Sequence, residues 1–323
     1  MSYGTLKKKI FKEVNHIMSA ATVIFKAIDY MFDLQQNPIG RTKRNMKNVV
    51  KTTDIVYDES DKKACTLDTF VIPKEEGKYP VIFEIHGGGF VAGDKKYRRC
   101  LSAWYAQELG AFVVNINYGL SPKYKFHQVI PQLVNAVNWV ADHAEELRLD
   151  LSRFVVTGDS AGGYYSAYLA VLQSNPELQK RLGVEMKAKF TGTVLDCGIY
   201  DIVTALGQKV LFNLTDSICY DFVGVHTNEI EKYEYIDVVS PSSFVNSEFP
   251  VAFITLAAKD FFCGGQGEYL SKQLDDLGIY HEVYASTRFM DNHTFPLTWT
   301  SKAAKANNEQ AITFLKRFVK GEI

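Results

Sequence analysis

Two short segments of the chain have the residue types and spacing for acyl-transfer chemistry. The first is Gly158-Asp159-Ser160-Ala161-Gly162-Gly163, which follows the β-type run Arg153 to Thr157 and precedes a helical pattern. A serine on a tight strand-to-helix turn projects its hydroxyl above a sheet. Such a turn is strained, so the residues two before and two after must be tiny. Both are glycine here. A G-x-S-x-G match alone is weak and also fits an ordinary glycine-rich turn; the strand before and the helix after give it weight. The second segment is His86-Gly87-Gly88-Gly89-Phe90, directly after the apolar run Pro80 to Ile85. Three successive glycines leave backbone N–H groups uncovered and able to approach a substrate oxygen. Acyl transfer passes through a tetrahedral oxyanion, and losing one aligned N–H donor typically costs about 3–4 kcal/mol of barrier. A phosphate-binding loop fits poorly, since no G-K-[ST] or G-x-G-x-x-G spacing with a following helix is present.

Each segment needs a strand to hold it. Asn48 to Tyr57 and Cys65 to Ile72 are polar at intervals, as in an antiparallel edge, whereas Pro80 to Ile85 and Ala111 to Ile116 are nearly continuous apolar runs. Such runs suit strands covered on both faces. Beyond them the chain alternates: a helix opened near Pro131, the strand Arg153 to Thr157, a helix through Ala167 to Leu172, and a strand at Thr191 to Leu195. A strand at Pro250 to Leu256, a helix at Tyr269 to Leu277, a strand at Tyr280 to Ala285 and an amphipathic helix at Ala311 to Val319 follow. This alternation predicts a mostly parallel sheet with helices on both faces, an α/β fold. Residues from about Tyr200 to Glu248 break it and read as an insertion beside the sheet. At the N-terminus Ile10, Val14, Ile17, Ala21, Ile24, Ile28 and Met31 step by four and three, which predicts one apolar helix face rather than a signal peptide.

The paired motifs, in this order and each after its own strand, resemble the hormone-sensitive lipase-like esterases, a branch of the α/β-hydrolases. Asn117-Tyr118-Gly119-Leu120-Ser121-Pro122 and Ser240-Pro241 are similar to further segments of that family, and the resemblance runs from about residue 65 to 295. Gly119 stands where an arginine is usual, and Phe261-Phe262 where a proline–leucine pair follows the acid. The resemblance implies an α/β-hydrolase fold with a small helical cap, built from an N-terminal helix in 1–45 and an insertion at about 200–248 of the catalytic domain 46–323. It also implies an oxyanion hole from the N–H groups of Gly88, Gly89 and Ala161. In this fold the triad follows the order Ser, Asp/Glu, His. Only His226, His281 and His293 follow Ser160. His226 falls in the insertion and His281 opens a strand at the far sheet end, so His293 is the expected base. His86 is expected to hold the glycine loop by hydrogen bonding. Asp196 and Asp260 both end strands on the serine side. Asp260 is favoured because it lies one strand before the His293 loop, because Ala257-Ala258-Lys259 resembles the family's approach to its acid, and because the insertion follows Asp196 at once. Asp159 is expected to be a structural anion.

Composition narrows the alternatives. Lys and Arg number 36 against 37 Asp and Glu among 323 residues, and the absence of a basic excess argues against a nucleic-acid partner. The five cysteines are odd in number and form no C-x-x-C pair, so neither a zinc site nor a disulfide framework is expected. No run approaches the ~18 apolar residues of a membrane span. The sequence therefore points to a cytoplasmic carboxylesterase acting on small-molecule, short- to medium-chain esters. Ser160, Asp260 and His293 are the expected catalytic residues, with no cofactor and no metal; self-association is left open. An amidase, formamidase or carbohydrate-ester deacetylase would use the same site. A prolyl-oligopeptidase-like peptidase would need a propeller domain for which the chain has no room. A hormone receptor on this fold would lack the histidine.

Overall fold

The computed structural model describes residues 19–36, 47–207, 214–288 and 290–323. Eight strands form one sheet: β1 (Val50–Val56), β2 (Thr66–Val71), β3 (Tyr79–Ile85), β4 (Phe112–Ile116), β5 (Leu149–Asp159), β6 (Gly192–Asp196), β7 (Val251–Leu256) and β8 (His281–Ala285). Their order is β1-β2-β4-β3-β5-β6-β7-β8. β2 is antiparallel to both its neighbours, and every pairing from β4 to β8 is parallel. β3, β4 and β6 are buried at every position, which is what continuous apolar runs require. The chain leaves β3 toward β4 on one side and returns as β5 on the other. This change of direction opens a crevice at the carboxyl ends of β3 and β5, where ligands bind in open α/β sheets.

Helices cover both faces. Val81, Phe83 and Ile85 of β3 point into a core shared with α3 (Phe126–Asp142) and α4 (Ala161–Leu172). Ile82, between them, faces α2 (Arg99–Leu109) and α9 (Lys302–Lys320) on the other side. Side chains alternating across a strand produce both layers from one sequence run. The helix expected to open near Pro131 begins at Phe126, because the Gln128 side chain turns back to accept the Lys125 N–H at 2.9 Å. Pro131 is tolerated inside it. Helices α2 and α5 (Pro176–Leu182) are additions to the elements expected from sequence.

The N-terminal helix α1 spans Ala20–Gln36; the expected turns at Ile10, Val14 and Ile17 lie outside the described residues. Of the expected stripe, Ala21 is buried and Ile24 and Ile28 pack against the same apolar cluster, whereas Met31 is 58% exposed. Phe25 and Asp29, outside that stripe, are buried as well. Between Tyr200 and Glu248 the described residues hold α6 (Ile202–Leu206), α7 (Leu214–Val223) and two 3-10 turns, with no strand. Phe222 of α7 stacks on Phe90 at 3.9 Å, and the Tyr164 and Tyr168 hydroxyls of α4 each donate at 2.7 Å to the carbonyls of Val239 and Val238.

The tightest packing lies where β3 and β5 end. A Cβ on Gly162 would sit 2.0 Å from the Ile85 carbonyl oxygen, and one on Gly158 would sit 2.5 Å from Gly162 backbone atoms. Backbone cannot yield cheaply, so the clash outweighs the helix-propensity gain of about 1 kcal/mol from Gly to Ala. Gly162→Ala should therefore destabilise the protein by at least the ~1–3 kcal/mol typical of overpacking. An unchanged urea midpoint would contradict this.

Candidate active site

Ser160 alone makes the turn between β5 and α4, at φ 53° and ψ −118°. Its N–H donates to the Asp196 carbonyl at 2.8 Å, which fixes the strained turn to the end of β6. The loop after β8 brings His293 over it, and Nε2 lies 2.8 Å from Ser160 Oγ. On the other ring edge Nδ1 lies 2.8 Å from Asp260 Oδ2. A single parallel bridge, Lys259 to Asn292, ties the Asp260 and His293 loops together. The second Asp260 oxygen accepts the N–H groups of Phe262 at 2.9 Å and Cys263 at 2.7 Å. Burial alone would raise the Asp260 carboxyl, but His293 and these donors hold it below the ordinary carboxylate range. An ionised Asp260 can only accept, so Nδ1 carries the hydrogen and Nε2 is left to accept from Ser160.

Asp196 takes no part in this chain of bonds. Its carboxyl meets Thr255 Oγ1, and burial pushes it up to about 6, opposed by the bond from Thr255. The partner of its carboxyl is thus the Thr255 hydroxyl. His281 lies at the start of β8, 2.8 Å from Ser271, and His226 pairs with Asp216 at 2.9 Å; neither bonds to Ser160. His86 is buried against Tyr118, ring centroids 4.4 Å apart, with Nδ1 2.8 Å from the Gly87 carbonyl. Burial lowers it to about 4, so it is neutral and braces the loop. Gly88 and Gly89 adopt φ 132° and 59°, and a Cβ on Gly88 would strike the Ala92 carbonyl. Ala161 opens α4, where N–H groups have no intrahelical partner.

Beneath the serine lies a buried charge cluster, in which Asp159 is the anion expected from sequence and Arg98 and Asp29 are members that sequence reasoning did not reach. Arg98, 2% exposed, grips Asp159 through two bonds of 2.7 Å, and the Gly87 N–H adds a third at 3.3 Å. Burial works against an ionised Asp159, but Arg98 holds it below the ordinary range. Asp29 of α1 lies beside this pair. Burial pushes it up to about 7, with Asp159 adding to the rise and Arg98 and the Gly93 N–H opposing it. Its Oδ2 has no hydrogen-bond partner among the described residues.

Two cavities flank Ser160. One, of about 50 Å³, is apolar and lined by residues including Phe25, Phe90, Ile202, Phe222 and Phe262. The other, of about 160 Å³, is bordered by Asp29, Arg98, Asn292 and His293, with Phe25 and Phe262 again on its wall. Serine, imidazole and carboxylate in sequence, facing an enclosed apolar space, can transfer an acyl group without a cofactor.

A profile of the BD-FAE family matches residues 67–274, more than half of the chain. The chain belongs to the BD-FAE family. Its BD-FAE stretch runs from β2 into α8 (Gln266–Asp276) and holds the glycine loop, Ser160 and Asp260; His293 lies beyond it. Among curated relatives, "Probable carboxylic ester hydrolase LipM" of Mycobacterium tuberculosis is 27% identical over 267 residues, 82% of this chain and 61% of its own. "Arylacetamide deacetylase" of Bos taurus is 37% identical over 109 residues, 32% of this chain and 27% of its own. The chain thus spans less than two thirds of each of these relatives. Esterase B of Lactobacillus rhamnosis superposes with a TM-score of 0.74 at 20% identity, covering 94% of this chain and 98% of that one. The bacterial heroin esterase does so with a TM-score of 0.72 at 19% identity, covering 91% and 90%. The fold is that of the α/β-hydrolases, and the resemblance to hormone-sensitive lipase-like esterases agrees with the family match. No described helix is long and apolar enough to cross a membrane.

The weak signals for Asp29 and Arg98 explain why they were missed. Asp29 interrupts an apolar stripe, where an acid normally marks the solvent side, and Arg98 stands in a basic stretch that reads as surface. Asp29 also generates a test. An acid raised from 3.8 to about 7 keeps its proton after the unfolded chain has released it, so stability falls as pH rises through that window. Asp29→Asn should therefore melt above the wild type at pH 8, with the difference shrinking toward pH 4. A difference independent of pH would contradict the burial of an ionisable Asp29.

Proposed function

We propose that the protein is a serine carboxylic ester hydrolase acting on short- to medium-chain esters. The observation that carries this reading is the position of His293, 2.8 Å from both Ser160 Oγ and Asp260 Oδ2. Ser160 Oγ attacks the ester carbonyl carbon while His293 Nε2 removes the hydroxyl proton. The carbonyl oxygen becomes an oxyanion, received by the N–H groups of Gly88, Gly89 and Ala161. Asp260 stabilises the imidazolium and holds its tautomer. The intermediate collapses as the carbon–oxygen bond to the alcohol breaks, and His293 gives its proton to the departing oxygen. Water then repeats the sequence on the acyl-enzyme, with His293 as base, and releases the carboxylic acid. Helices α1, α6 and α7 cap the site, and the small apolar cavity favours a few carbons of acyl or alcohol chain. The five cysteines, all buried thiols outside any disulfide, fit a reducing compartment such as the cytoplasm.

The match to a protein whose printed name is arylacetamide deacetylase supports a second reading, amide hydrolysis at the same serine. Turnover of p-nitrophenyl butyrate set beside acetanilide decides which bond is preferred.

Ser160→Ala should fold normally and lose nearly all activity; a fall of less than ~100-fold in kcat would remove Ser160 from the role of nucleophile. Asp260→Asn favours the wrong imidazole tautomer and should lower kcat by about 10⁴. Asp196→Asn should cost little beyond stability. Both are measured on one soluble ester with circular dichroism as a folding control, and a crippled Asp196→Asn beside an active Asp260→Asn would reverse the assignment. On chain length, p-nitrophenyl butyrate should turn over faster than emulsified long-chain triglyceride, and the opposite ranking would overturn the short-chain preference.

A further inference from the structure

Asp260 and His293 have a third neighbour that the proposed hydrolysis does not use. Cys263 follows Asp260 by three residues, because the Asp260 carboxylate draws the Phe262 and Cys263 N–H groups around it. This turn brings the Cys263 thiol beneath the imidazole. The sulfur, a carboxylate oxygen of Asp260 and a ring nitrogen of His293 all lie within 4.8 Å of one another. Cys263 is 4% exposed and borders the same apolar cavity as Ser160, which gives an ion a route inward. Thiolate, imidazole and carboxylate are the donors that bind zinc, at about 2.3 Å to sulfur and 2.0–2.2 Å to nitrogen and oxygen. Tetrahedral ligands at those bond lengths stand roughly 3.3–3.7 Å apart. The three donors reach that spacing by the sulfur moving in and the Asp260–His293 pair parting slightly from 2.8 Å.

We propose that Asp260, Cys263 and His293 form an inhibitory site for a thiophilic divalent cation of the zinc type. Its inhibitory half rests on the esterase reading above; metal binding itself does not. The nitrogen beside Asp260 is Nδ1, so the ion takes the position of the hydrogen between them. That hydrogen moves to Nε2, the thiol proton leaves to solvent, and a water completes the coordination. Without the ion the three groups carry one negative charge, on Asp260. With it, two anionic ligands and a dication sum to zero, which suits a buried place better than a lone charge. The displaced hydrogen on Nε2 now faces Ser160 Oγ as a donor, and the serine has no base. Inhibition thus follows from a tautomer change rather than from blocking the substrate.

Cobalt(II) and zinc(II) titrations of the full chain test this. Cobalt should produce a thiolate-to-metal charge-transfer band in the wild type and equally in Ser160→Ala, and neither Cys263→Ala nor Cys263→Ser should show it. Zinc should suppress wild-type ester turnover, and both Cys263 variants should need at least about tenfold more zinc for half-inhibition, each scored against its own metal-free rate. Absence of the band in the wild type, or zinc inhibition unchanged in the Cys263 variants, would sink the proposal. A band that appears without inhibition would overturn the tautomer step. If the protein hydrolysed no ester at all, the esterase reading would fail while the cobalt band still reported on the metal site.

Discussion

A carboxylate one residue before the proposed nucleophile, with almost no access to water, has to be neutralised by protein groups. The surroundings of Ser160 follow from how that is done. Arg98 supplies the charge through two parallel bonds, and Gly87 supplies an N–H from the glycine loop. Asp159 thus fastens the end of β3 to the end of β5 at the point where substrate would sit. Removing one partner from such a buried pair typically costs about 3–5 kcal/mol, because the remaining charge is stranded. The same pair bears on α1. Arg98 attracts Asp29 and Asp159 repels it, while α1 itself is seated by Ala21 and Phe25 against Val91, Ala92 and Leu214.

The strands carry the rest of the geometry. Parallel pairing from β4 through β8 sends the residues after β3, β5, β6, β7 and β8 to one edge. Five connections converge there, from the single residue Ser160 after β5 to the long stretch between β8 and α9. The division between Asp196 and Asp260 shows how small a difference sets a carboxylate's part. One ends β6 and the other lies four residues past the end of β7, and both carboxyls are buried. One meets a threonine hydroxyl and rises toward neutrality; the other meets an imidazole and two N–H groups and stays ionised.

Much of this was legible in the residues. The apolar runs marked β3, β4 and β5 because buried parallel strands leave no room for polar side chains. The glycines around Ser160 and after His86 marked the turns because only glycine fits there. The order of the motifs led to His293 and Asp260, and the structure brings these two together with Ser160. Asp29 and Arg98 were not legible, because a buried ion cluster has no period: each member is indistinguishable from a surface charge until the fold sets them together. The apolar stripe of α1 was legible as far as Ala21, Ile24 and Ile28, which pack inward with Phe25, while Met31 at its end is exposed. Helices α2 and α5 lay outside the elements read from the sequence, although α5 carries a legible signature: Asn175 caps it, Pro176 opens it and Gly183 closes it.

Phe25 and Phe262 each border both of the cavities beside Ser160, and their rings lie 5.8 Å apart. The two chambers therefore share one partition, and the ring of Phe25 also fills the space a side chain on Gly89 would need. A substitution at Phe25 or Phe262 reshapes both chambers at once. Positions such as Ile202 or Asn292 touch one chamber only. The walls of the site therefore divide into positions that adjust one chamber alone and a shared pair that adjusts both together.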